Sequence, residues 1–151
     1  GTIEEVRQKY KDEQPTKEEK GKWWQLGIHF LYHGHPNDTE FIQQLPDNIA
    51  LLVSFPRNNE TGIKKIPTQV RQALAFYSSN SSNENSAVKT DIFSIIEKST
   101  NANETLAFFF LSDPSLLLAS NDIGCVCFIA EPDYQNCQKI VEAWQEAQNQ
   151  T

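Results

Sequence analysis

Asn48-Ile49-Ala50-Leu51-Leu52-Val53-Ser54-Phe55, closed by Pro56, is apolar without alternation. Such a run suits a strand covered on both faces, which is the situation inside a parallel sheet. Ile123–Ala130 (IGCVCFIA) has the same character and carries no charge, so it is expected at the centre of the sheet. Thr105–Leu111 (TLAFFFL) is a third strand of this kind. Gly27–His33 (GIHFLYH) is a fourth, with Ile28, Phe30 and Tyr32 on one face and His29, Leu31 and His33 on the other.

Between these runs the apolar period lengthens to that of helices. Asn37 and Glu40 form a capping-box-like pair ahead of Phe41, Ile42 and Leu45, and Pro46 stops that helix. Pro67 suits a helix first turn, and Val70, Ala73, Leu74 and Tyr77 follow at helical spacing, which predicts a helix over 67–77. Ser78–Ser86 (SSNSSNENS) has almost no apolar atoms and reads as a loop. Thr90 is placed to cap a helix bearing Ile92, Ile95 and Ile96. Ser112-Asp113-Pro114-Ser115 reads as a turn, with Leu116–Ala119 as a hairpin partner for the strand before it. Pro132 opens a last helix with Tyr134, Cys137, Ile140, Val141 and Trp144 on one face. The expected order is β-α-β-α-α-β-β-α, an α/β fold with a mixed, mostly parallel sheet flanked by helices.

At 151 residues the chain fits one domain. Residues 3–22 are dominated by charge, with only Ile3, Val6 and Tyr10 as an apolar stripe that Pro15 interrupts. The expected division is therefore a charged arm over 1–22 and a single α/β domain over 23–151. The chain opens Gly1-Thr2 and contains no Met, which reads as a segment excised from a larger protein, membrane-associated proteins included. A net charge of -7 repels nucleic-acid phosphates and anionic lipid, so neither is an expected partner. No apolar run approaches the roughly 20 residues that span a bilayer.

The element order is similar to that of a thioredoxin-like fold over residues 27–148: a β-α-β half, then a hairpin and a final helix. Where that family carries its redox pair this chain reads His33-Gly34-His35-Pro36-Asn37-Asp38, without Cys, and no Pro immediately precedes Thr105. The resemblance thus implies the architecture without the thiol chemistry, since no thiolate is placed to attack a disulfide. Cys125, Cys127 and Cys137 are too few for a disulfide framework and wrongly spaced for a zinc ribbon. They read as reduced core thiols, the alternative being one bridge from Cys137 to Cys125 or Cys127 in an oxidising compartment. N-x-S/T sequons start at Asn37, Asn59, Asn80 and Asn103 and hint at an extracytoplasmic setting while leaving the compartment open.

Ligands of open α/β sheets collect beyond the carboxyl ends of the strands. Here those ends carry His33 and His35, then Arg57, Asn58 and Asn59, then Asp113, then Glu131 and Asp133. His33-x-His35 is a metal-ligand spacing that Asp38 or Glu40 could complete. Polar strand-end loops and ordinary surface histidines are the competing reading. No P-loop, G-x-G-x-x-G, G-x-S-x-G or H-E-x-x-H occurs, so no cofactor is expected. Trp23 and Trp24 could anchor an interface or pack in the core. These features point to a non-catalytic module that binds another protein, through Trp23, Trp24 and the loop Arg57–Lys65. The alternatives are a metal- or small-ligand-binding enzyme or sensor using His33, His35, Asp38 and Arg57, and an extracytoplasmic assembly factor without redox activity.

Overall fold

A computed structural model describes residues 20–57, 66–77 and 85–149. They form an α/β fold with a six-stranded, mostly parallel sheet and four helices. In chain order these are β1 (Lys22–Leu26), β2 (His29–His33), α1 (Thr39–Gln44), β3 (Leu51–Ser54), β4 (Ala73–Ala75), α2 (Asn85–Ser99), β5 (Thr105–Phe109), α3 (Ser115–Ile123), β6 (Val126–Glu131) and α4 (Tyr134–Asn149). Across the sheet the strands run β1-β2-β6-β5-β3-β4, with β1 antiparallel to β2 and every other pair parallel. β6, uncharged as far as Ala130, is central, as the apolar run Ile123–Ala130 leads one to expect.

Register sorts the side chains into two layers. Leu31, Ile129, Phe108 and Val53 stand side by side on one face, under Ile92 and Ile96 of α2, Leu116 and Leu117 of α3, and Ile140 and Trp144 of α4. Tyr32, Ala130, Phe109, Ala107 and Leu52 share the other, where α1 contributes Phe41 and Leu45 follows it. Trp23 packs there on Tyr32 and stacks on Phe41 with centroids 5.9 Å apart.

Three expected elements take other forms. The expected first strand, Gly27–His33, is shortened to His29–His33: Gly27-Ile28 is a two-residue hairpin turn, and Lys22–Leu26 ahead of it is an additional strand. Gly27 has φ +63°, and a Cβ there would lie 2.7 Å from the Trp144 ring, so only glycine satisfies both the turn and the packing. The helix expected over 67–77 is a turn followed by β4, because a parallel strand beside β3 meets the ladder groups that β3 leaves open. Leu116–Ala119 lies in α3 rather than in a hairpin. Asp113 Oδ1 accepts the backbone N–H and the hydroxyl of Ser115, and Gly124 at φ +97° closes the far end with its N–H on Ser120 and Asn121 carbonyls. With β5, α3 and β6 forming a parallel crossover, the hairpin half of the thioredoxin-like order is absent, and the order β-α-β-α-α-β-β-α does not hold.

Smaller differences follow. α2 starts at Asn85, so Thr90 is inside a helix rather than capping one, and the predicted loop Ser78–Ser86 lies outside the described residues except for its last two. The sheet takes in Lys22, one residue ahead of the expected domain boundary, and Gly21 already donates its N–H to the His33 carbonyl. The arm 1–19 lies outside the described residues. No helix among them is long and apolar enough to cross a membrane.

Candidate functional site

Four parallel strands end together, so their carboxyl ends form one crest. His33 is level with Glu131, Ala130 with Phe109, and Phe109 with Ser54. Beyond these ends the backbone keeps pairing: Gly34 N–H donates to Glu131 O, Phe110 N–H to Ala130 O, and Phe55 N–H to Phe109 O. Phe110 leaves β5 with φ 64°, an uncommon conformation for a bulky residue, and its ring is fully buried. Arg57, after β3, has its guanidinium carbon 6.0 Å from the centroid of that ring.

Glu131 is the centre of the crest. Its carboxylate is fully buried and accepts both Arg57 Nη atoms, Nη1 on Oε2 at 3.0 Å and Nη2 on Oε1 at 2.6 Å. Oε2 also accepts the Asp133 N–H at 2.7 Å. Burial pushes the Glu131 carboxyl above its ordinary range, and the Arg57 hydrogen bonds and charge oppose that shift. The fork of Arg57 matches the planar carboxylate in a way a lysine would not. Asp133 caps α4, its Oδ1 accepting N–H groups of Gln135 and Asn136 at 2.8 and 3.3 Å. The amino end of α4, where a free anion would otherwise be favoured, is therefore occupied by two carboxylates of the protein itself.

The histidines are turned to backbone. His33, fully buried, donates from Nε2 to the Pro132 carbonyl at 3.1 Å, with its ring against Tyr134. His35 accepts the Asn37 N–H on Nδ1 at 3.1 Å and meets the edge of Phe110. Asp38 Oδ2 accepts the Tyr32 hydroxyl at 2.9 Å and the His35 N–H at 3.2 Å. Burial, then that carboxylate, pushes the Tyr32 phenol well above its usual range. His33, His35 and Asp38 thus point at different partners, and no group of three possible metal ligands occurs among the described residues.

Asp113, the remaining strand-end acid, caps α3 and pairs with Lys89 at 3.0 Å. Burial works against its ionisation, but Ser115 and Lys89 outweigh it and hold the carboxyl below its usual value. Trp23 is spent on the packing described above; Trp24 leans on Tyr134, with Lys22 Nζ 4.7 Å from its ring. Asn58, Asn59 and the rest of the loop to Lys65 lie outside the described residues.

All three cysteines are free and buried, so the bridge considered between Cys137 and Cys125 or Cys127 is not formed. Cys137 Sγ donates to the Glu131 carbonyl, and Cys125 Sγ to Thr100 Oγ1. Burial pushes all three thiols up, away from the thiolate that redox or nucleophilic chemistry uses.

His29, on the same strand face as His33, has a structural role of its own. His29, at the amino end of β2, is fully buried, accepts the Cys127 N–H on Nδ1 at 3.0 Å and donates from Nε2 to Asn121 Oδ1 at 2.9 Å. Its alternation with Leu31 and His33 places the imidazole on a face that β2 buries.

Comparison of the chain with protein-family models, with curated proteins and with solved structures finds no match.

Proposed function

We propose that this chain is a non-catalytic module that binds another protein, and not nucleic acid. One observation carries the reading: the Arg57–Glu131 clamp fills the crest, the place where an α/β sheet ordinarily receives a ligand. Arg57, Glu131, Asp133, His33 and Asp38 all bond to the protein's own groups there, so the chemistry at the strand ends serves to hold the loops together. Trp23 packs on Tyr32 of β2 and Phe41 of α1, and Trp24 leans on Tyr134 of α4, so both indoles already have partners within the domain.

The test is isolation of a partner from native extract at physiological salt with the chain as bait. A protein recovered in fixed stoichiometry, with saturable binding by the purified pair, is the expected result. Recovery of none, together with a melting temperature that rises on adding zinc or manganese, would replace this reading with the metal-binding one at His33 and His35.

A further inference from the structure

Asn-x-Ser/Thr triplets recur along the chain beyond what its composition yields. They start at Asn37, Asn59, Asn80 and Asn103, and Asn149-Gln150-Thr151 is a fifth. Of the nine threonines in the chain, four stand two residues after an asparagine. Twelve asparagines scattered at random among 151 residues would give about one such pair. The structure then separates the asparagines by the use of their side-chain amides. Three outside the triplets spend theirs within the fold: Asn121 Oδ1 accepts from His29 Nε2, Asn101 Nδ2 donates to Glu104, and Asn136 hydrogen-bonds Glu131. The side-chain amides of Asn37, Asn103 and Asn149 make no hydrogen bond among the described residues. Asn103 is exposed in the turn Asn101–Glu104, which the Glu104 N–H closes on the Asn101 carbonyl at 3.1 Å. Its backbone is fixed, with φ 73°, a left-handed conformation that asparagine tolerates, and with its N–H on the Gly124 carbonyl at 2.9 Å. The turn is held by backbone, and the side chain of Asn103 is left over.

We infer that Asn103 is an N-glycosylation site, and that the chain passes through a compartment where this transfer takes place. The inference does not depend on the protein-binding reading. Transfer joins Asn103 Nδ2 to the anomeric carbon of an oligosaccharide carried on a lipid pyrophosphate. The bond from that carbon to the pyrophosphate oxygen breaks, the lipid pyrophosphate leaves, and the amide gives up one proton. Thr105, two residues on, supplies the hydroxyl that the motif requires. The transferase takes extended chain, so the demand on the fold is to leave the sugar in water afterwards. Asn103 meets it: its turn precedes β5, at the pole of the sheet opposite the crest. α4 starts at the crest and runs back past Gly27, where Trp144 packs, so Asn149 lies toward the same pole. Sugar at that pole leaves the Arg57–Glu131 clamp untouched. Asn37, by contrast, is only half-exposed and lies beside the crest, with its N–H on His35. The free thiols are compatible with an oxidising compartment, because all three are buried out of an oxidant's reach.

The test is glycopeptide mapping of the protein captured from native extract and treated with a peptide N-glycosidase in heavy-oxygen water. That enzyme converts a glycosylated asparagine to aspartate carrying the heavy oxygen. The label at position 103 is the expected result. Its absence from every peptide that covers Asn103 would overturn the inference, whether or not another triplet is labelled. Expression of the full chain behind a secretion signal in eukaryotic cells tests the residues themselves. Asn103→Gln and Thr105→Ala should each remove one glycosidase-sensitive step in gel mobility, and Thr105→Ser should keep it. The step is read in cell lysate as well as in medium, so a variant that fails to fold still reports. A mobility pattern unchanged by both Asn103→Gln and Thr105→Ala would overturn the inference.

Discussion

The crest at the end of β6 and the margin at β4 belong to one sheet and treat their polar groups in opposite ways. At the crest, a carboxylate with no exposed surface has three N–H donors, and the charge facing it is a fork of matching shape. At the margin, two exposed alanines turn their backbone groups outward. A buried ion must be paired or the domain is destabilised, whereas an exposed amide is satisfied by water at little cost. Polar chemistry that looks functional in the sequence can thus be structural.

The largest effect expected from breaking this contrast is at the clamp. Arg57→Ala leaves Glu131 buried without its counter-ion and should cost about 3–5 kcal/mol in denaturant unfolding. Replacing both partners, Arg57→Met with Glu131→Leu, should recover most of that loss, because no charge is then stranded. A double variant as unstable as Arg57→Ala would mean that the pair does more than satisfy itself.

Gly34 tests how tightly the crest is closed. A Cβ there would overlap the Tyr32 ring and lie 2.7 Å from Asp38 Oδ2, and Tyr32 is buried and hydrogen-bonded, so it has little room to move. Gly34→Ala should cost about 1–3 kcal/mol by thermal or chemical melting.

His29 gives a pH signature away from the crest. Burial holds its imidazole below the ordinary value of 6.5, against the Asn121 hydrogen bond, and Nδ1 is already engaged as an acceptor. The unfolded chain then takes up a proton near pH 6.5 that the folded chain refuses. Stability is fully present above that pH and falls as the pH drops toward the folded value. Melting curves between pH 7.5 and 5 should show this fall, and His29→Gln, which can keep one donor and one acceptor, should flatten it. An unchanged profile in the variant would assign the fall to another group.

The smallest effect is at the margin. Ala75→Pro should change stability by less than about 1 kcal/mol, since proline is tolerated on an end strand where its missing N–H faced water. A loss of several kcal/mol would show that the outward amide is already used within the fold.

The strands that became β3, β5 and β6 were legible because each is apolar without alternation and is bounded by turn residues. β1 was not, since Lys22-Trp23-Trp24-Gln25-Leu26 mixes charge with indole and its turn, Gly27-Ile28, lacks the Asn-Gly or Asp-Gly mark. At β4, Val70, Ala73, Leu74 and Tyr77 satisfy a helical period as well as a strand, and the partner that decides between them lies across the sheet in β3. In α3 the three leucines suit a strand as well as a helix, while Asp113 two residues before Ser115 and Gly124 after Ile123 are its helix start and stop signals. The crest residues His33, His35, Arg57, Glu131 and Asp133 followed from topology alone. Their pairing did not, because Arg57 and Glu131 are 74 residues apart and nothing local joins them.

The most direct measurement compares the denaturant unfolding of Arg57→Ala with that of the Arg57→Met/Glu131→Leu double variant. The single variant should lose about 3–5 kcal/mol and the double variant should recover most of it. A double variant no more stable than Arg57→Ala would contradict the account.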